Sequence, residues 1–166
     1  DKAPSSMDRL CREQGLQRLF GGVESSERVV GFLKTGSASE AFFLGSEADL
    51  LQRTEAFIDS WAHTNARVRL EPVDGAISSD ALGLVHQGFQ AAWLAVAPAL
   101  RSLPPATKVT LMGYSQGGAL ATMAALDLCC KGFRQIELIT FGCPRVGNEQ
   151  FREFFREKCV DTGTVR

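Results

Sequence analysis

Apolar residues recur along this chain with two different periods. Between residues 7 and 20, apolar side chains at positions 7, 10, 16, 19 and 20 form a helical stripe that closes at Gly21-Gly22. Residues 28–33 and 41–44 are short apolar runs between Gly- and Ser-rich turns, and read as strands. A third strand over residues 49–52 is poorly marked. Residues 55–64 read as a short amphipathic helix with Phe57, Ile58 and Trp61 on one face. Residues 68–73 read as extended, 74–80 as a polar loop, and 82–100 as a long helix ending near Pro98 and Pro104-Pro105.

Residues 109–126 change period in mid-run. Val109-Thr-Leu-Met starts as a strand, Gly117 to Lys131 continues as an Ala- and Leu-rich helix, and Gly113-Tyr114-Ser115-Gln116-Gly117 forms the turn between them. These five residues fit G-x-S-x-G, the pattern of a sharp strand-to-helix turn that presents a serine. A serine hydroxyl is a poor nucleophile unless it is exposed, held in one orientation and set beside a base. The turn supplies the first two conditions. Glycine at 113 and 117 leaves room for a strained serine backbone and for close approach of the helix. The helix N-terminus also leaves free N–H groups and a partial positive charge beside the reacting oxygen. Ser115 is therefore the candidate nucleophile, and the amide of Gln116 the first candidate oxyanion donor. The same five letters occur in ordinary Gly-rich turns; the strand before and the helix after favour the catalytic reading.

Beyond this helix the pattern gives a strand at 135–141, a turn at 142–145, a helix at 148–158 with Phe151, Phe154 and Phe155 as its buried stripe, and the opening of another strand at 163–166. Alternation of strand and helix predicts an α/β domain with parallel strands, right-handed crossovers and reactive groups at the carboxyl ends of the strands. The chain shows no internal repeat and no low-complexity segment.

Composition narrows the function classes. The 166 residues fit one domain, with 45% hydrophobic and 22% charged residues as in ordinary soluble proteins. A net charge of −1 gives no electrostatic case for nucleic acid or an anionic membrane surface. No apolar run has the length of a transmembrane span, and the first residues lack a signal peptide's layout. The chain does not begin with Met, which leaves room for a targeting segment already removed. Five cysteines (Cys11, Cys129, Cys130, Cys143 and Cys159) show no C-x-x-C spacing and no paired His, so neither a zinc site nor a full disulfide framework is expected. Cys129 and Cys130 read as small core residues.

Three stretches go beyond a generic elbow. Val85-His86-Gln87-Gly88-Phe89, residues 109–121, and Thr140-Phe-Gly-Cys-Pro-Arg-Val-Gly-Asn148 resemble the V-H-x-G-F, G-H-S-x-G-G-A-L-A and T-F-G-x-P-R-V-G-N motifs of the class 3 (fungal-type) triacylglycerol lipases. The resemblance covers residues 28–166 and implies an α/β-hydrolase fold, with a central, mostly parallel sheet and helices on both faces. It implies carboxylic ester hydrolysis, of acylglycerols above all, through an acyl-serine intermediate at a lipid–water interface, with no metal or organic cofactor. The family carries a second oxyanion donor on an Arg-Gly-Ser/Thr segment, with a lid Trp seven residues later. Here Arg53-Thr54 precedes Trp61 at that distance, which makes Thr54 the candidate donor and Thr35 its rival. Residues 55–65 would then form a lid burying Phe57, Ile58 and Trp61 over the serine, or else a small core helix. Tyr114 stands where the family usually has His and Gln116 where it usually has Leu. That elbow is close to the cutinase one, but cutinases are not expected to show the first and third motifs. His86 is structural by the same resemblance, and His63 reads as a surface residue.

The α/β-hydrolase order is Ser, then Asp or Glu, then His. No histidine follows Ser115 in this chain, and Asp161 precedes its strand, on the wrong side for the triad acid. The expectation is an incomplete portion of a lipase, lacking the C-terminal part of the fold with the triad Asp and His. The competing expectation is a short, non-catalytic relative that binds lipid or a protein partner.

Overall fold

The computed structural model of the protein describes residues 6–21, 28–45, 70–72 and 83–165. In order these form α1 (Ser6–Gln14), β1 (Leu16–Gly21), β2 (Arg28–Lys34), β3 (Ala38–Phe43), β4 (Leu70–Pro72), β5 (Leu84–His86), α2 (Gln87–Arg101), β6 (Lys108–Tyr114), α3 (Gln116–Cys130), β7 (Ile136–Phe141), α4 (Glu149–Phe155) and a π-helical turn (Arg156–Val160). Five strands make one sheet in the order β1-β2-β3-β6-β7, while β4 and β5 pair separately. β2 runs antiparallel to both of its neighbours, β1 and β3. β3, β6 and β7 run parallel, with Phe43 opposite Gly113 and Tyr114 opposite Phe141. Val165 bridges Ile136 in parallel, so the chain returns to the sheet beside β7. Among the described residues no helix is long and apolar enough to cross a membrane.

The central helix is α3. Gly117 to Cys129 are buried except Thr122, as a helix apolar all round demands. It packs on β3, β6 and β7, on α2 and on the π-helical turn. Val109 and Leu111 of β6, Ala41 and Phe43 of β3, and Trp93, Val96 and Leu100 of α2 complete the core around it. Its one acidic residue, Asp127, is buried against α2, where Arg101 Nε donates to its carboxylate at 2.6 Å. Cys129 and Cys159 are core thiols, and Cys130 is half-buried. Burial pushes the Cys130 thiol up to about 11, and burial together with a hydrogen bond to Cys129 pushes Cys159 higher still, so neither is a reactive thiolate at neutral pH.

Three expected boundaries move. The stripe at 7–20 is not one helix: Gly15, at φ +64, ends α1, and residues 16–21 pair with β2 as a strand. Leu16 and Leu19, three residues apart, fit helical spacing and not the two-residue period of a strand, and pairing with β2 overrides that pattern. The expected helix at 82–100 begins only at Gln87, because residues 84–86 are held extended by β4 and by Val146, Gly147 and Asn148. It then runs through Pro98 to Arg101; the proline ring lies on the exposed side, where it meets solvent rather than core. The helix expected at 148–158 is α-helical to Phe155 and continues as the π-helical turn, with Phe151 buried and Phe154 and Phe155 only partly so.

Candidate active site

β6 delivers the chain to the carboxyl edge of the sheet, and the backbone reverses there through one residue. Ser115 has φ 51 and ψ −122, and among the described residues it alone besides glycine has positive φ. Such a conformation costs on the order of 1–3 kcal/mol and persists only where the surroundings hold it. They do so from both sides. The Ser115 N–H donates to Phe141 O at 2.8 Å, tying the turn to β7, and the Ser115 carbonyl accepts from Gly118 N at 2.8 Å, starting α3. The side chain makes no capping bond to the helix it heads and stays half-exposed. The backbone of Ser115 carries the bonds to both flanking elements, and its side chain caps neither.

Both elbow glycines are required by close approach. A Cβ on Gly113 would strike the Gly117 carbonyl and lie 2.6 Å from Gly118 N. A Cβ on Gly117 would strike the Phe43 carbonyl and lie 2.6 Å from that of Leu44. α3 therefore sits against the ends of β6 and β3 at a separation that no larger residue permits. Gln116 is the first residue of α3, so its N–H has no acceptor within the helix and lies at the positive end of the helix dipole.

Thr54, Phe57, Ile58, Trp61 and His63 lie outside the described residues, as do the residues of the candidate lid. Thr35 does not join the site. It is exposed in the turn between β2 and β3, and Ala38 pairs with Lys108 at the start of β6. That places Thr35 at the amino edge of the parallel strands, about 20 Å of strand away from Ser115. Asp161 lies at the same edge, ahead of the Val165–Ile136 bridge. Among the described residues no group of three or more His, Cys, Asp or Glu is arranged to hold a metal ion.

His86 is structural. Its Nδ1 accepts from Gly88 N at 3.0 Å, capping α2, and its ring stacks on Phe89 with centroids 4.3 Å apart. The third motif meets the first at this point. His86 N donates to Val146 O, Asn148 N donates to Leu84 O, and Asn148 Oδ1 accepts from both Leu84 N and Phe151 N at 3.0 Å. Asn148 thus caps α4 and anchors it to β5 with one oxygen. Only its place at the start of a helix was readable from the chain. Asn148→Ala should lower stability by about 2–3 kcal/mol, by loss of the cap and of a partner for Leu84 N. Asn148→Asp should retain most of it, and denaturant melts distinguish the two. A loss under about 0.5 kcal/mol for the Ala variant would be that of an ordinary surface position and would sink the assignment.

A strained serine at a strand-to-helix elbow, on the carboxyl edge of parallel strands, defines an α/β-hydrolase. Residues 42–166 match the family model described as Lipase (class 3), and the chain belongs to that family. It is 41% identical over 81 residues to the secreted mono- and diacylglycerol lipase 1 of Fusarium solani, a match covering 45% of this chain and 24% of that protein. Its fold is similar to that of the nonglycosylated LIP2 lipase of Yarrowia lipolytica (TM-score 0.63, 22% identity), over 89% of this chain and 53% of that one. It is also similar to the Rhizomucor miehei triacylglyceride lipase (TM-score 0.54, 28% identity), over 80% of this chain and 49% of that one. The chain thus spans about a quarter of the curated relative and about half of each solved lipase.

Proposed function

We propose that this protein hydrolyses carboxylic esters, acylglycerols foremost, through an acyl-Ser115 intermediate. The observation that carries the proposal is the Ser115 backbone, held at φ 51 by bonds from both flanking elements while its side chain caps nothing. Strain maintained around an uncommitted nucleophile has a use in covalent catalysis and none in packing. The Ser115 hydroxyl attacks the ester carbonyl and gives up its proton to a base. His86 is not that base, since its Nδ1 is engaged with Gly88 N and its ring is buried. The tetrahedral oxyanion is met by the Gln116 amide at the head of α3, and its collapse expels the alcohol and leaves the acyl group on Ser115. Membership of the lipase family and the name of the Fusarium relative support acylglycerols as the substrate class.

Hydrolysis of tributyrin and p-nitrophenyl butyrate by the full-length native protein tests this reading, with fluorophosphonate labelling alongside. Turnover and labelling at Ser115 are expected. A protein that adsorbs to acylglycerol emulsions but neither turns over nor labels would be a lipid-binding module instead.

Thr54 is proposed as the second oxyanion donor, on its seven-residue distance from Trp61. Thr54→Val keeps the β-branched shape and should lower kcat by about 10²–10³ while leaving KM nearly unchanged, because the charge develops only in the transition state. Thr35→Val, at the far edge of the sheet, should have no such effect. A kcat loss in the Thr35 variant and none in the Thr54 variant would reverse the assignment.

A further inference from the structure

Two thiols that the ester chemistry does not use meet in the core, at the end of α3 opposite to Ser115. Cys129 lies in the last turn of α3 and Cys159 in the π-helical turn, 6% and 0% exposed, and both are free thiols in this structure. Cys129 Sγ donates to the Lys158 carbonyl at 3.4 Å, the peptide group that leads into Cys159, and the two thiols hydrogen-bond each other. The pair therefore faces itself across the contact between α3 and the π-helical turn. Cys130, half-buried, is the third sulfur of the cluster. Consecutive residues of a helix point about 100° apart, so Cys129 and Cys130 do not face one another. The backbone of Cys159 has a task of its own. Its carbonyl accepts from Val165 N at 2.8 Å, so this segment also returns the chain to the sheet beside Ile136.

We infer that Cys129 and Cys159 are a disulfide-forming pair, which closes when the chain folds in the presence of a small-molecule disulfide such as oxidised glutathione. One protein thiolate attacks a sulfur of the reagent, forms a mixed disulfide and expels a glutathione thiolate. The other protein thiolate attacks the protein sulfur of that mixed disulfide and expels the second glutathione. Two protein S–H bonds break and one S–S bond forms; the two electrons and two protons end on two molecules of reduced glutathione. Burial sets the time of this exchange. In the folded core both sulfurs are out of reach of a reagent in water, so the bond forms before α3 and the π-helical turn close on each other. The same burial then shields the finished bond from reductants. It closes a loop of about 30 residues that contains β7, the third motif and α4. That loop is thereby tied to the helix whose other end carries the nucleophile.

The test synthesises the full-length native protein in a cell-free reaction containing oxidised glutathione, so that folding and oxidation run together. Remaining thiols of the soluble product are alkylated in guanidinium chloride, and the protein is digested without reduction. Mass spectrometry should find Cys129 joined to Cys159 and the alkyl label on Cys130, with fragmentation between residues 129 and 130 assigning each sulfur. Dithiothreitol should leave the cross-link intact in the folded protein and remove it in guanidinium chloride. Cys159→Ala should lower the melting temperature of the oxidised protein by about 5–10 °C. Adding Cys129→Ala should cost little more, because a single bond is lost once. Alkyl label on both Cys129 and Cys159 of the native protein overturns the inference and leaves two thiols that only fill the core. A cross-link that runs through Cys130 in place of Cys129 overturns the pairing.

Discussion

Ser115→Ala in the full-length native protein should abolish fluorophosphonate labelling and reduce ester turnover by about 10⁶-fold, the order seen when the nucleophile of a serine hydrolase is removed. The residual rate would come from the oxyanion donors and from binding. Stability should move differently. Alanine carries the same Cβ into the same φ 51 backbone, and the hydroxyl that is lost made no capping bond. The unfolding free energy should therefore stay within about 0.5 kcal/mol of the native value. Ser115→Gly should go further and stabilise the fold by about 1 kcal/mol or more, because glycine relieves the positive-φ strain. The pair of variants separates a residue kept for chemistry from one kept for folding. Labelling that persists in Ser115→Ala would remove Ser115 from the mechanism. A stability loss of several kcal/mol in the same variant would show that the hydroxyl is structural after all.

That division between chemistry and support also describes what could be read along the chain. The elbow was legible because its signals are local: strand period before Gly113, helix period after Gly117, and a glycine on each side of Ser115. α3, β6 and β7 were legible for the same reason, and the structure gives them nearly the expected bounds. Residues 16–20 and 84–86 were not, because their few apolar positions mark no strand period and their state is decided by pairing partners, β2 for the first and residues 146–148 for the second. The third motif illustrates this well. As letters it identifies a family; in space, Val146, Gly147 and Asn148 bind the backbone of Leu84, Val85 and His86. In this chain each motif satisfies hydrogen-bonding groups of the other. Thr35 and Thr54 were separated as donors by distance in sequence alone, and it is the topology of β2 and β3 that sets Thr35 at the wrong edge.

The second large effect is expected at a residue that touches no substrate. Gly113→Ala adds one methyl group, and the three atoms nearest to it all belong to backbone: the Gly117 carbonyl and, at 2.6 Å, Gly118 N. No rotamer change can relieve that contact, so α3 must slide away from β6 or the strand must bend. Overpacking typically costs about 1–3 kcal/mol, and a clash with two backbone groups in the central helix belongs at the upper end. The same displacement moves the first turn of α3, which carries the Gln116 amide, relative to Ser115, which remains tied to Phe141 O on β7. A misplacement of about 1 Å between nucleophile and oxyanion donor is enough to lose about 10²-fold in rate. Gly113→Ala should therefore destabilise the protein by about 3 kcal/mol. It should also lower kcat by about 10² or more at temperatures well below its melting point, where the protein is still folded. Fluorophosphonate labelling should slow in parallel rather than vanish, since Ser115 is still present. Normal kcat in a destabilised variant would mean that the elbow geometry survives the helix shift. Normal stability would mean that the contact between α3 and β6 is slacker than the position of Gly113 implies.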